Sequence, residues 1–157
     1  VAKAINDFYR ADFPVAQCKI ASSQKNAGDC CQNPCSKGCS QRLELEKALC
    51  TVQCLDQGPV GGTLPFNNLM NRIQAEDPKP VCARVLWAGD GGHFVVIKGF
   101  QKTSQSLLIA DPLEGEHLVP YEEFKDCYQG FGGWTHYYLT DRMNHGDCTR
   151  ETTHKIS

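Results

Sequence analysis

The sequence predicts an α+β domain, with helices ahead of an antiparallel sheet. Up to about residue 76 the apolar side chains recur at helical spacing, whereas from Val81 to Thr140 short runs of β-branched, aromatic and aliphatic residues alternate with turn residues. At 157 residues the chain is long enough to bury roughly two thirds of the surface its unfolded form exposes, so a core does not require covalent staples. The expected division is one domain over residues 1–140, helical over about 1–76 and sheet over about 81–140, followed by a polar tail over 141–157.

Val1, Ile5, Phe8 and Tyr9, with Ala2 and Ala4 between them, predict an amphipathic helix over residues 1 to about 12. No capping residue precedes the first periodic position, so this helix is expected to begin upstream of Val1. A second short helix is expected between Pro14 and about Ser23, then a polar, cysteine-bearing loop to Gly38. Leu43, Leu45 and Leu49 mark a third helix from about Ser40 to Val52, and residues 58–62 read as a loop. Pro65 suits a first helical turn, and Phe66, Leu69, Met70 and Ile73 share one face of a fourth helix ending near Ala75. Strands are expected over 81–87, 93–101, 106–111, 117–121 and 133–140, with a short helix over 121–127 between the last two. The tail after Asp141 carries His145, Cys148 and His154 and is expected to be mobile; a metal role there is the less favoured reading. The chain has no internal repeat and no low-complexity segment.

Sixteen basic and eighteen acidic side chains, a formal charge of −2, lie spread along the chain and form no footprint for nucleic acid and no polybasic membrane patch. No apolar run approaches the roughly 18 residues of a membrane span. The chain starts with neither Met nor a signal-peptide pattern, which reads as a processing or expression boundary. Oligomeric state is not legible.

Ten cysteines is a high count for this length, and Cys30, Cys31, Cys35, Cys39, Cys50 and Cys54 crowd together. Disulfides in an oxidising compartment are one reading. Structural zinc, with Cys35-x3-Cys39 and Cys50-x3-Cys54 as ligand pairs, is another, although the adjacent Cys30-Cys31 and the lack of paired histidines fit bridging better. Free thiols are the third.

The candidate chemistry lies in Gly91-Gly92-His93-Phe94-Val95-Val96-Ile97-Lys98-Gly99-Phe100 and in Leu107-Leu108-Ile109-Ala110-Asp111-Pro112. Two glycines leave the His93 ring uncrowded and let a substrate backbone come close. A hairpin turn centred near Lys102 or Thr103 sets His93 opposite Asp111 or one pair away on the same face. A carboxylate there holds the imidazole by one nitrogen and leaves the other as a base. The same residues also fit a polar histidine at a strand start and an ordinary Asp-Pro turn.

Together with Pro80-Val81-Cys82-Ala83-Arg84-Val85-Leu86-Trp87, Gly133-Trp134-Thr135-His136-Tyr137-Tyr138-Leu139-Thr140 and the Cys30-Cys31 and Cys35 to Ser40 stretch, these segments resemble the papain-like cysteine peptidases of bacteria. The nearest branch is that of the bacteriocin-processing peptidases and related secreted or effector proteases, and the resemblance covers about residues 1–140. It implies His93 as general base, Asp111 as the residue that orients it, a peptide or protein substrate and no cofactor. It also implies a nucleophilic cysteine in a Cys-Trp-Ala-Ala-like motif at the start of the first long helix, with an oxyanion-binding glutamine further upstream. Val1-Ala2-Lys3-Ala4-Ile5 resembles the continuation a few residues past that motif, so residues 1–157 are expected to lack the nucleophile and to be inactive alone.

Cys39 is the best internal substitute, ahead of the third helix, but its cysteine-rich surroundings favour oxidation. Cys18 is expected to be packed or bridged. Trp87 and Trp134 read as core residues before cleft walls, His136 as a structural histidine sharing a face with Trp134 and Tyr138, and His117 as a surface residue. Lys98 is expected to lay its stem over the sheet and keep its amine wet. Three function classes follow: a papain-like cysteine peptidase, a non-catalytic relative that binds peptides or proteins, and a disulfide-stapled secreted interaction protein in which His93 and Asp111 are incidental and far apart.

Overall fold

The computed structural model describes residues 2–9, 16–23, 27–35, 38–39, 44–87, 91–130, 132–142 and 148, with backbone alone for Ala2 and Trp87. The helices are α1 (Ala2–Tyr9), α2 (Gln17–Ser22), α3 (Leu45–Thr51), α4 (Phe66–Ile73) and α5 (Tyr121–Cys127). The strands are β1 (Leu55–Gly61), β2 (Val81–Trp87), β3 (Gly92–Gln101), β4 (Ser106–Asp111), β5 (Gly115–Pro120) and β6 (Gly132–Thr140). The strands form one sheet in the order β1-β6-β2-β3-β4-β5, every neighbouring pair antiparallel. This is an α+β fold.

Period-2 alternation along the strands divides the apolar side chains into two layers. One face carries Val81, Ala83, Val85, Val95, Ile97, Leu107 and Ile109, covered by Leu69 and Ile73 of α4 and by Phe124 and Tyr128 at α5. Cys82, Val96 and Tyr138 face the other way and meet Ala4, Ile5 and Tyr9 of α1 and Leu45 and Leu49 of α3. In α3, α4 and α5 the inward residues sit at helical spacing: Leu45 and Leu49, Leu69 and Ile73, then Phe124 with Tyr128 just past the helix end. Lys98 ties α1 to the sheet edge through ion pairs with Glu116 and, at 3.8 Å, with Asp7, so its amine is paired rather than simply wet.

Residues 58–62 were expected to be a loop, but Leu55–Gly61 is the edge strand β1, paired with β6. The Gly-Pro-Val-Gly-Gly composition misleads because an edge strand tolerates proline, and two register irregularities absorb the extra residues. Gly58 has φ +139°, and a Cβ there would lie 2.9 Å from the Tyr138 Cα; only glycine fits that approach.

Three disulfides, Cys18–Cys31, Cys30–Cys39 and Cys50–Cys148, join six of the ten cysteines. They fit an oxidising compartment. Cys39 is therefore oxidised and is not a nucleophile, and Cys148, which the sequence left among the scattered cysteines, fastens the chain end to α3. His145 and His154 lie outside the described residues, as do the first residues of the expected third helix. Among the described residues no helix is long and apolar enough to cross a membrane.

Candidate active site

His93 is the second residue of β3, and Asp111 closes β4. Their strands pair Val96 with Ala110 and Ile97 with Ile109, but then Gly99 with Leu108 and Phe100 with Leu107. The extra residue in β3 is Lys98. Without this bulge, the pairing near the turn, carried along the strands, would send His93 and Asp111 to opposite faces. With it they share the face of Val85, Ile97 and Ile109, one pair apart on the diagonal. His93 Nε2 lies 2.9 Å from Asp111 Oδ1, with side chains 11% and 1% exposed. That contact opposes the view that the two residues are incidental and far apart.

Asp111 Oδ1 also accepts from the backbone N–H of Leu113 at 2.8 Å and of Glu114 at 3.4 Å, while Oδ2 accepts from the Tyr128 hydroxyl at 2.6 Å. The turn role read from Asp-Pro is thus real and coexists with the histidine contact. Burial pushes the Asp111 carboxyl up, but the Tyr128 hydroxyl, the Leu113 amide and His93 outweigh it, and the carboxyl titrates below its ordinary range. An ionised carboxylate only accepts, so His93 Nε2 carries the proton and Nδ1 is the basic nitrogen of the neutral ring.

This depression makes a stability prediction. Because the folded value lies below the unfolded one, the stabilisation is complete above the unfolded value, about 3.9, and disappears as pH falls through the folded value. Asp111→Asn is expected to cost about 1–3 kcal/mol at pH 7. Urea titrations of both proteins should converge toward pH 2; a gap that stays constant would contradict the linkage.

Tyr128 and His117 are members of the site that the sequence reading missed. Tyr128 is fully buried, and His117 stacks on its ring, 6.1 Å between centroids and 19° between planes. His117 Nε2 is 3.4 Å from the Tyr128 Oη and 3.3 Å from Gln129 Nε2, and Nδ1 is 3.2 Å from the Gly115 carbonyl. Two signals were available: Phe124 and Tyr128 stand four residues apart, and His117 alternates with inward Val119 on β5.

The two glycines before His93 behave differently. Gly91 has φ +78° and open space where a Cβ would stand, whereas a Cβ on Gly92 would be 2.6 Å from Arg84 Nε, so the Arg84 guanidinium occupies that space. Trp134 is buried, packs on Phe124 at 5.3 Å and donates from Nε1 to the His136 carbonyl at 2.7 Å. The Trp87 side chain is outside the described residues. His136 does not share a face with Trp134: between Arg84↔His136 and Val85↔Trp134 the register slips by one at Thr135, which turns Trp134 to the α5 side and leaves His136 with Tyr138.

Among the described cysteines outside the disulfides, Cys54 and Cys82 are buried on the α1 side of the sheet, away from the His93 face. Burial pushes the Cys82 thiol up to about 12. Cys35 and Cys127 are exposed. α1 packs on the face of the sheet opposite His93.

The model of the Peptidase C39 family matches residues 65–132, from α4 to the first residue of β6, and the segment includes His93, Asp111, His117 and Tyr128. Over that segment the chain is similar to a family of cysteine peptidases. Comparison with curated proteins and with solved structures gave no match.

Proposed function

We propose that residues 1–140 are the base-bearing domain of a papain-like cysteine peptidase, with His93 as general base, Asp111 as its orienting acid and a nucleophilic thiol supplied from upstream of α1. The observation that carries the proposal is the 2.9 Å contact of His93 Nε2 with Asp111 inside the segment that matches the Peptidase C39 family. Eight of the ten cysteines are poorly suited to the role: six are in disulfides, and Cys54 and Cys82 are buried on the opposite face, which leaves the exposed Cys35 and Cys127, neither of which is seen in contact with His93. Residues 1–157 alone are therefore expected to be inactive.

In the proposed reaction the thiol gives its proton to His93 Nδ1, and the thiolate attacks the peptide carbonyl carbon while the carbonyl pair moves onto oxygen. Collapse of that adduct breaks the C–N bond, and the imidazolium protonates the leaving amine. Water attacking the resulting thioester gives a proton to His93, and release of the acid restores the thiol–imidazole pair. Asp111 keeps the Nε2–H tautomer and the ring angle throughout. The resemblance places a glutamine upstream as the oxyanion donor, and it favours a bacterial, secreted protein, for which the three disulfides are consistent.

One observation favours a second reading, a papain-like relative that binds peptides without cutting them: α1 lies on the face opposite His93. A chain extended upstream separates the two. It should cleave peptides and lose that activity on alkylation; binding without cleavage supports the second reading, and alkylation-resistant cleavage means different chemistry.

A further inference from the structure

We propose that Tyr128 is a positioning residue for the His93–Asp111 pair, acting through its hydroxyl on Asp111 Oδ2. For its functional meaning the inference rests on the peptidase reading. The carboxylate is gripped at both oxygens: Oδ1 by His93 at 2.9 Å and the Leu113 amide at 2.8 Å, Oδ2 by Tyr128 at 2.6 Å. Donors on both oxygens oppose rotation of the carboxylate, and so fix the direction in which it meets the imidazole.

Tyr128 is itself held. Its ring meets Phe124 edge-on at 5.2 Å and His117 face to face, and its backbone is bridged in both directions to Gly132. Packing does not explain the oxygen, since phenylalanine would fill the same hole. The hydroxyl is the part of this side chain that addresses the site. The polar groups facing Asp111 are His93 from β3, the Leu113 and Glu114 amides from the β4–β5 turn and Tyr128 from the end of α5; behind Tyr128 stand His117 of β5, Gln129 and the Glu114 charge. Burial and then the bond to Asp111 push the Tyr128 hydroxyl above its ordinary value, so it stays a proton donor across the neutral range.

The test is an NMR titration of the Asp111 carboxyl carbon in residues 1–157. Tyr128→Phe should raise the Asp111 midpoint by about one unit or more, the effect of losing one hydrogen bond to a charged group. Phe124→Leu disturbs the same apolar cluster without touching the hydroxyl and should leave the midpoint near its original value. A midpoint unmoved by Tyr128→Phe, or moved equally by Phe124→Leu, overturns the inference. In the unaltered chain the Tyr128 hydroxyl proton should be shifted downfield and exchange slowly, and a fast-exchanging proton also overturns it. None of these readouts needs turnover, so an extended chain that fails to cleave peptides would defeat the peptidase reading and leave this result standing.

Discussion

In a chain extended upstream, His93→Ala is expected to lower kcat/KM for a peptide by on the order of 10³-fold or more, the scale for removing a general base that also activates the nucleophile. The fold should survive. Asp111 loses one donor but keeps Tyr128 and the turn amides, so the stability cost should stay near 1–3 kcal/mol. Asp111→Asn, which leaves the base in place and disturbs its tautomer and aim, should cost less activity than His93→Ala. Steady-state kinetics on the two variants, with urea unfolding beside them, checks both the order and the separation of activity from stability. Equal, small effects would remove the pair from the chemistry.

Among stability effects, the largest is expected from the Cys50–Cys148 bridge. It closes 98 residues, against 13 for Cys18–Cys31 and 9 for Cys30–Cys39. In the chain-entropy account a loop of about 100 residues contributes about 4.7 kcal/mol and one of about 15 residues about 3. Cys50→Ser with Cys148→Ser should therefore lower the unfolding free energy by about 4 kcal/mol, more than removal of either short bridge. The location supports this order, because Cys50 packs at the edge of the α1–α3 core and the bridge pins the far end of the chain to it. Equilibrium unfolding of the three double variants measures it, and equal losses would mean that loop closure is not what the bridge contributes.

Much of the fold was legible because the signals were local. The β-branched runs of β2 and β4 matched their observed ends, and β3 and β6 each began one residue earlier than read, at Gly92 and Gly132. The Leu69 and Ile73 spacing located α4. What escaped was set by pairing partners. Gly58-Pro59 gives no strand signal until β6 lies beside it, and the Lys98 and Thr135 bulges, which decide the facing of Asp111 and Trp134, have no marker in a hydrophobic pattern.

The site divides in the same way. The meeting of His93 with Asp111 was legible because strand, turn and residue type agreed, although the turn arithmetic took no account of the bulge that its result depends on. Tyr128 was not found because it reaches Asp111 only after α5 folds back on the sheet, and His117 because its partner in the site is Tyr128. The disulfide partners were also undetermined: adjacent Cys30 and Cys31 join different cysteines, and one bridge spans most of the chain.

The central claim is that His93 activates a thiol brought in from ahead of α1. The pH dependence of iodoacetamide alkylation of that cysteine, in an extended chain with and without His93→Ala, tests it most directly. The account predicts a midpoint well below the ordinary thiol value of about 8.5, and a return toward that value when His93 is removed. A cysteine that titrates near 8.5 in both proteins would contradict it.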